Sequence, residues 1–357
     1  MNNTNRPQFF FQDFSQELVE FNLNLTKAQQ HYKTADNIVI GNSSKKVVFQ
    51  IGKMNLYHYR PCIKSLMKTP LLIIFALVNR PTILDLSEEC SMIKSLLKEG
   101  LDVYSIDWGY PDNNDRYFTL TDYIANNLQQ CIQFMRKHSH QKQINLLGIC
   151  QGGVFSLCYG TLYPQHIKNL ITVTTPVDFH TEDNIICRLL SQVDIDLLVN
   201  KLGNIPGQLL TQFFMSLNPY RLIGKKYLKF VNKVDDKNFV DSFMRVEKWL
   251  FDSPDQAGET FREFTKNFYQ QNKLIKGEIY LAKKSIDLYR LTMPILNISA
   301  DADHLIPPSA CIALQDYVAT TDYSHVSLSG GHIGLYISQK TRHKLVQTIS
   351  QWLKQRI

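Results

Sequence analysis

Ile144-Asn145-Leu146-Leu147-Gly148-Ile149-Cys150-Gln151-Gly152-Gly153 is the stretch on which the fold turns. Ile144 to Leu147 reads as a strand and Gly152 to Tyr163 as a helix, so a G-x-C-x-G turn joins one to the other. This is the nucleophile-elbow pattern with Cys in place of Ser. The need for glycine is steric: side chains two positions either side of a nucleophile in so tight a turn would strike the neighbouring strand and helix. The turn lifts Sγ into the crevice at the carboxyl ends of the strands, where ligands bind in such sheets. It also sets the sulfur at a helix N-terminus, whose partial positive charge suits an anion. The plain alternative is a small buried cysteine in a tight turn.

Outward from the elbow, strands and helices alternate. Lys46 to Gln50 and Met54 to Tyr59 read as short strands, and Leu71 to Val78 as one buried on both faces. Ser87 to Lys98 reads as a helix stopped at Gly100, Leu101 to Ile106 as a strand, and Leu120 to His138 as a helix with Ile124, Leu128, Cys131, Ile132 and Met135 at helical spacing. Leu170 to Thr174 is a further strand. From about Asp178 to Tyr289 the alternation gives way to helix-like segments broken at Pro206, Pro219 and Pro254. It resumes with Ile295 to Ser299 and Tyr323 to Leu328, and a helix over Gln339 to Leu353 ends it. Such alternation predicts a mostly parallel central sheet flanked by helices, with a helical cap insertion. The predicted divisions are a lead-in over 1–40, a core in two parts over 41–177 and 291–357, and a cap over 178–290.

Composition excludes several classes. Of 357 residues 44% are hydrophobic and 20% charged, enough to bury a core and too apolar for wholesale disorder. The longest apolar run, Leu71 to Val78, is far short of the ~18 residues a membrane span requires. MNNTNRPQFFFQDF lacks the basic and apolar regions of a secretory signal. Seven scattered cysteines (Cys62, Cys90, Cys131, Cys150, Cys158, Cys187, Cys311) include no C-x-x-C pair, against a zinc site or disulfide framework and in favour of a reducing cytoplasm. The net charge of +7 is dispersed, with no basic, aromatic-interleaved stripe for nucleic acid.

A thiol nucleophile needs a base, and the base an orienting acid. In elbow-bearing sheets the chain order is nucleophile, acid, histidine, the latter two on loops after late strands. Asp301-Ala302-Asp303-His304 follows the strand at 295–299, and Ser329-Gly330-Gly331-His332-Ile333-Gly334 follows the strand at 323–328. Spacing leaves open which of Asp301 and Asp303 is the acid; His304 is a candidate outer partner or an ordinary loop residue. Donors for a developing oxyanion are expected from the backbone N–H of Gln151 and from that of Val78 or Asn79, on the loop after an early strand.

With these in place the chain resembles the polyhydroxyalkanoate synthase family. The resemblance rests on GICQGG, LVNRPTILDL (Leu77 to Leu86), IDWGYPD (Ile106 to Asp112), FDSPDQAGE (Phe251 to Glu259), ADHLIPP (Ala302 to Pro308) and SGGHIG. Length and FDSPDQAGE are similar to the class III catalytic subunit, which works with a separate E subunit. The resemblance implies an α/β-hydrolase fold and polymerisation of (R)-3-hydroxyacyl-CoA, chiefly 3-hydroxybutyryl-CoA, with release of CoA. It implies a Cys150–His332–Asp303 triad, Asp303 because the family's acid directly precedes a histidine in D-H-[LI]-[VI]-P. It also implies a homo-oligomer at a cytoplasmic granule surface, with no cofactor beyond the CoA of the substrate. In the cap, Leu209, Leu210, Phe213, Phe214 and Leu217 are candidates to meet product or partner, against ordinary packing. Two rival readings are a cysteine hydrolase of the dienelactone hydrolase type, which also resembles G-x-C-x-G-G, and a non-catalytic granule-binding scaffold.

Overall fold

The structure, a computed structural model, describes residues 11–33, 37–63 and 67–356. Of the aromatic run Phe9–Phe10–Phe11 read from the sequence, Phe9 and Phe10 lie outside the described residues. The strands are β1 (Lys45–Ile51), β2 (Met54–Tyr59), β3 (Leu71–Ile74), β4 (Val103–Asp107), β5 (Ile144–Ile149), β6 (Ile167–Val173), β7 (Ile279–Leu281), β8 (Lys284–Ile286), β9 (Ile295–Ala300) and β10 (Tyr323–Leu328). Eight form one sheet in the order β1-β2-β4-β3-β5-β6-β9-β10, while β7 and β8 pair apart from it. β2 runs antiparallel to β1 and β4; every other pair in the large sheet is parallel.

Position in the sheet explains the sequence of each strand. β3 and β5, interior strands with helices over both faces, are buried at every residue and read LLII and INLLGI. β1, at the edge, is half-exposed and carries an irregularity between Val47 and Phe49. The helix Gln151–Leu162 that leaves β5 is buried along its whole length, so after Gln151 the run GGVFSLCYGTL is mostly small or apolar all round.

Two expectations need correction. The apolar run Leu71 to Val78 is strand only as far as Ile74. Beyond that point backbone groups bond to side chains: Trp108 Nε1 donates to the Phe75 carbonyl at 3.0 Å and the Leu77 N–H to Gln151 Oε1 at 2.9 Å. The segment expected to be all helical also contains the β7–β8 ladder.

The described chain divides into two compact units, one within Met1–Val39 and Asn218–Lys248, the other Ile40–Leu217 with Trp249–Ile357. Compactness thus groups residues 178–217 and 249–290 with the sheet. The smaller unit has its own core of Ala28, Phe230, Val231, Val234, Val240, Phe243 and Met244, in which the Phe230 and Phe243 rings stack at 4.1 Å. Of the cap residues singled out from the sequence, Leu210 is buried with Ile195, Val199 and Ile205, Phe214 packs against that cluster, and Leu209 is exposed.

Candidate active site

Cys150 sits between β5 and its helix at φ 53° and ψ −122°. Such a conformation costs a non-glycine residue roughly 1–3 kcal/mol and persists only where its surroundings impose it. Here they do. The Cys150 N–H donates to the Val173 carbonyl at 2.9 Å, fastening the turn to the end of β6. A Cβ on Gly148 would strike Gly153 Cα and Ser156 Oγ, and one on Gly152 would strike the Ile74 carbonyl. The elbow is therefore wedged against β3 through positions that admit no side chain.

The loops after β9 and β10 meet at a buried pair. Asp303 Oδ2 lies 2.7 Å from His332 Nδ1, and Asp303 Oδ1 accepts from the N–H groups of Leu305 and Ile306 at 2.9 and 3.0 Å. Burial pushes the Asp303 carboxyl up, but His332 and these two amides outweigh it and hold it below the usual carboxylate range. Burial likewise pushes His332 down; the charges of Asp303 and Cys150 and hydrogen bonds to both overcome it, and the imidazole is held well above its ordinary value. The imidazole thus stands between carboxylate and sulfur. Asp301 takes a different part: its Oδ1 accepts from the Gly330 N–H at 2.8 Å and its N–H donates to the Leu328 carbonyl, while the Ala302 N–H meets the Gly330 carbonyl. It thereby fastens the glycine turn that leads into His332. His304 is half-buried beside Asp303 in the chain.

Among the described residues, no protein group accepts from the backbone N–H of Gln151, Val78 or Asn79. Asn79 has φ 57°, and its Nδ2 donates to the Leu250 carbonyl at 3.1 Å and approaches that of Trp249 at 3.4 Å. Around this loop lies a cluster that sequence reasoning missed. Arg80 pairs with Asp107 and stacks over the Tyr110 ring at 4.5 Å; the Tyr110 hydroxyl donates to Asp252; and Trp249 Nε1 donates to the Arg80 carbonyl at 2.7 Å. The signal was present, since these residues fall in LVNRPTILDL, IDWGYPD and FDSPDQAGE or next to them, but only the fold brings the three together. Tyr269 and Tyr336 also lie within electrostatic reach of Cys150, and burial drives both phenols up, so each is a neutral hydroxyl at working pH. Among the described residues, no cluster of three or more His, Cys, Asp or Glu side chains could hold a metal ion, and no helix is long and apolar enough to cross a membrane.

Residues 69–338 match the family described as alpha/beta hydrolase fold. Among solved structures, a thermophilic esterase from Thermogutta terrifontis superposes with a TM-score of 0.51 at 15% identity, over 88% of this chain and 99% of that one. The thioesterase domain from the curacin biosynthetic pathway gives 0.50 at 13%, over 86% and 99%. Likeness at such identity speaks to fold alone, and with the sheet order it defines an α/β-hydrolase fold. Sequence relatives go further. Residues 7–96 match the family described as the poly-beta-hydroxybutyrate polymerase (PhaC) N-terminus. The chain is 47% identical over 343 residues to the poly(3-hydroxyalkanoate) polymerase subunit PhaC of Thiocystis violacea, covering 96% of this chain and 97% of the relative. It is 46% identical over 344 residues to that of Allochromatium vinosum, covering 96% and 97%, and 47% over 328 residues to that of Synechocystis sp., covering 90% and 87%. The chain belongs to the poly(3-hydroxyalkanoate) polymerase family, acyltransferase-type enzymes of the α/β-hydrolase superfamily.

Proposed function

We propose that the chain lengthens polyhydroxyalkanoate by transferring (R)-3-hydroxyacyl units, chiefly 3-hydroxybutyryl, from CoA through a thioester on Cys150. The observation that carries this reading is His332, buried, hydrogen-bonded on one side to Asp303 and coupled on the other to a sulfur on a strained elbow. His332 takes the Cys150 proton, and the thiolate attacks the carbonyl of the acyl-CoA thioester. The oxyanion that develops is received by the N–H groups of Gln151 and of Val78 or Asn79, whose backbone donors are not spent among the described residues. The C–S bond to CoA breaks, and the proton from His332 leaves with the CoA thiol. The enzyme is left as a thioester, so little acyl-transfer potential is lost. The hydroxyl of another hydroxyacyl unit then attacks, surrendering its proton to His332; an oxoester forms, the Cys150–acyl bond breaks, and the sulfur is regenerated. Asp303 orients His332, assists deprotonation of the hydroxyl, or does both.

Water must be excluded for synthesis to win over hydrolysis. The burial of both Asp303 and His332, at 6% and 8% exposure, supports a sheltered site. The proposed setting is a homo-oligomer acting with an E subunit at a cytoplasmic granule surface, with no cofactor beyond the CoA of the substrate. Incubation with 3-hydroxybutyryl-CoA, with and without an E subunit, tests the reading. Polymer plus CoA supports it; free hydroxy acid would identify a hydrolase, and no CoA release under either condition a non-catalytic scaffold. A non-extendable substrate analogue, followed by mass spectrometry, should leave its acyl group on Cys150.

A further inference from the structure

Gln151 is buried, 7% exposed, and its side chain crosses from the elbow to the loop after β3, where Oε1 accepts the Leu77 N–H at 2.9 Å. That loop has left the sheet at Ile74, so the Leu77 amide has no ladder partner; without Gln151 it would be buried and unpaired, which costs roughly 1–3 kcal/mol. The bond joins the residue directly after the sulfur to the residue directly before Val78. One side chain therefore ties together the two segments that carry the backbone donors of the proposed reaction, Gln151 N–H on the elbow and the N–H of Val78 or Asn79 on the loop. The rest of the loop is tied elsewhere, by Trp108 Nε1 at the Phe75 carbonyl and Asn79 Nδ2 at the Leu250 carbonyl, so Gln151 alone connects it to the elbow by a side-chain hydrogen bond among the described residues.

We infer that the Gln151 side chain is a positioning residue for the oxyanion site, acting through the Leu77 amide to hold the donor N–H that follows it in the loop, that of Val78 or Asn79, in register with its own backbone N–H. It touches no reacting atom. The inference rests on the proposed acyl transfer to Cys150, and its test separates the two. Gln151→Met keeps the length of the side chain without the acceptor; Gln151→Asn keeps the amide one methylene short. Both leave the backbone donor at 151 in place.

Each full-length variant is checked for folding by its thermal midpoint, then treated separately with a non-extendable 3-hydroxyacyl-CoA analogue and with iodoacetamide. Acylation passes through a tetrahedral oxyanion, whereas alkylation displaces iodide at a saturated carbon and forms none. Acylation of Cys150 should slow by about 10- to 100-fold in both variants, less than the ~10²–10³ that outright loss of a donor costs. Alkylation should stay within about twofold of the parent, since the thiol and His332 are untouched. Parental acylation rates in either folded variant overturn the inference, as does a parallel loss of alkylation, which would place the effect on the sulfur. If Gln151→Met does not fold, Gln151→Asn decides alone; if neither folds, the role is in stability and the inference fails. Failure of the parent enzyme to acylate Cys150 at all removes the proposed reaction, and this inference with it.

Discussion

Asp303 and Glu247 are both buried acids, 6% and 2% exposed, and they are held by different kinds of donor. Asp303, in the sheet-bearing unit, takes two backbone N–H groups on one oxygen and an imidazole on the other. Glu247, in the smaller unit, is surrounded by side chains: the Tyr227 hydroxyl at 2.6 Å, the Tyr32 hydroxyl at 3.2 Å, and the Lys226 ammonium. Backbone donors cannot swing away, so Asp303 keeps its aim whatever the charge on His332. The donors around Glu247 can rotate, and what they join is the helix Phe11–Lys33 to the segments at 226–232 and 237–248. One carboxylate is fixed in its aim at His332, as the proposed reaction requires, and the other cross-links a fold; burial alone does not distinguish them.

The contrast can be broken experimentally. Cys150→Ala, beside Asp303 in function, should lower CoA release by ~10⁴ or more while leaving the thermal midpoint near that of the parent; undiminished release would remove the chemical half of the comparison. Asp303→Asn should cost ~10²–10⁴ in kcat by removing the acceptor that orients His332. Glu247→Gln should do the reverse, lowering unfolding free energy by about 1–3 kcal/mol in a denaturant titration with activity per folded molecule kept. A Glu247→Gln enzyme that folds normally and makes no polymer would erase the distinction.

The pH dependence sharpens it. His332 is held above its unfolded value of about 6.5, so its contribution to stability is fully present below that pH and is lost as pH rises through the raised folded value. Asp303 is held below its unfolded value of about 3.9, so its contribution is present above that pH and lost as pH falls through the lowered one. The gap in melting temperature between parent and His332→Gln should therefore be widest at mildly acid pH, between about 4 and 6.5, and narrow as pH rises into alkaline buffer; a gap that widens with alkali would refute the assignment. The smallest effect expected is that of Asn79→Ala, about 0.5–1.5 kcal/mol for its bond to the Leu250 carbonyl, read by the same titration.

The elbow was legible because its signals are local: a strand of near-continuous apolar residues, glycines where backbones nearly touch, and a helix directly after. The late loops were legible for the same reason, each a polar, glycine- or aspartate-marked turn after a clear strand. What failed was whatever depends on distant partners. LLIIFALV reads as one strand because hydrophobicity does not record where the backbone exchanges ladder bonds for Trp108 and Gln151. Spacing could not separate Asp301 from Asp303, since only the fold turns one toward Gly330 and the other toward His332. The Arg80–Asp107 pair, Tyr110 and Asp252 come from three separated stretches, none of which carries periodicity pointing to the others. Nothing in the order of residues marks 218–248 as sharing a unit with the described residues before Ile40.

β6 and β9 are neighbours in the sheet, and Thr172 Oγ1 donates to Asn297 Oδ1 at 2.9 Å across a sequence separation of 125 residues. Pairings of such long range form late and slowly. Chain order adds to this, since during synthesis Cys150 emerges from the ribosome before Asp303 and His332 exist. A chain ending before Asp303 would carry the sulfur without the imidazole that the proposed reaction uses to take its proton.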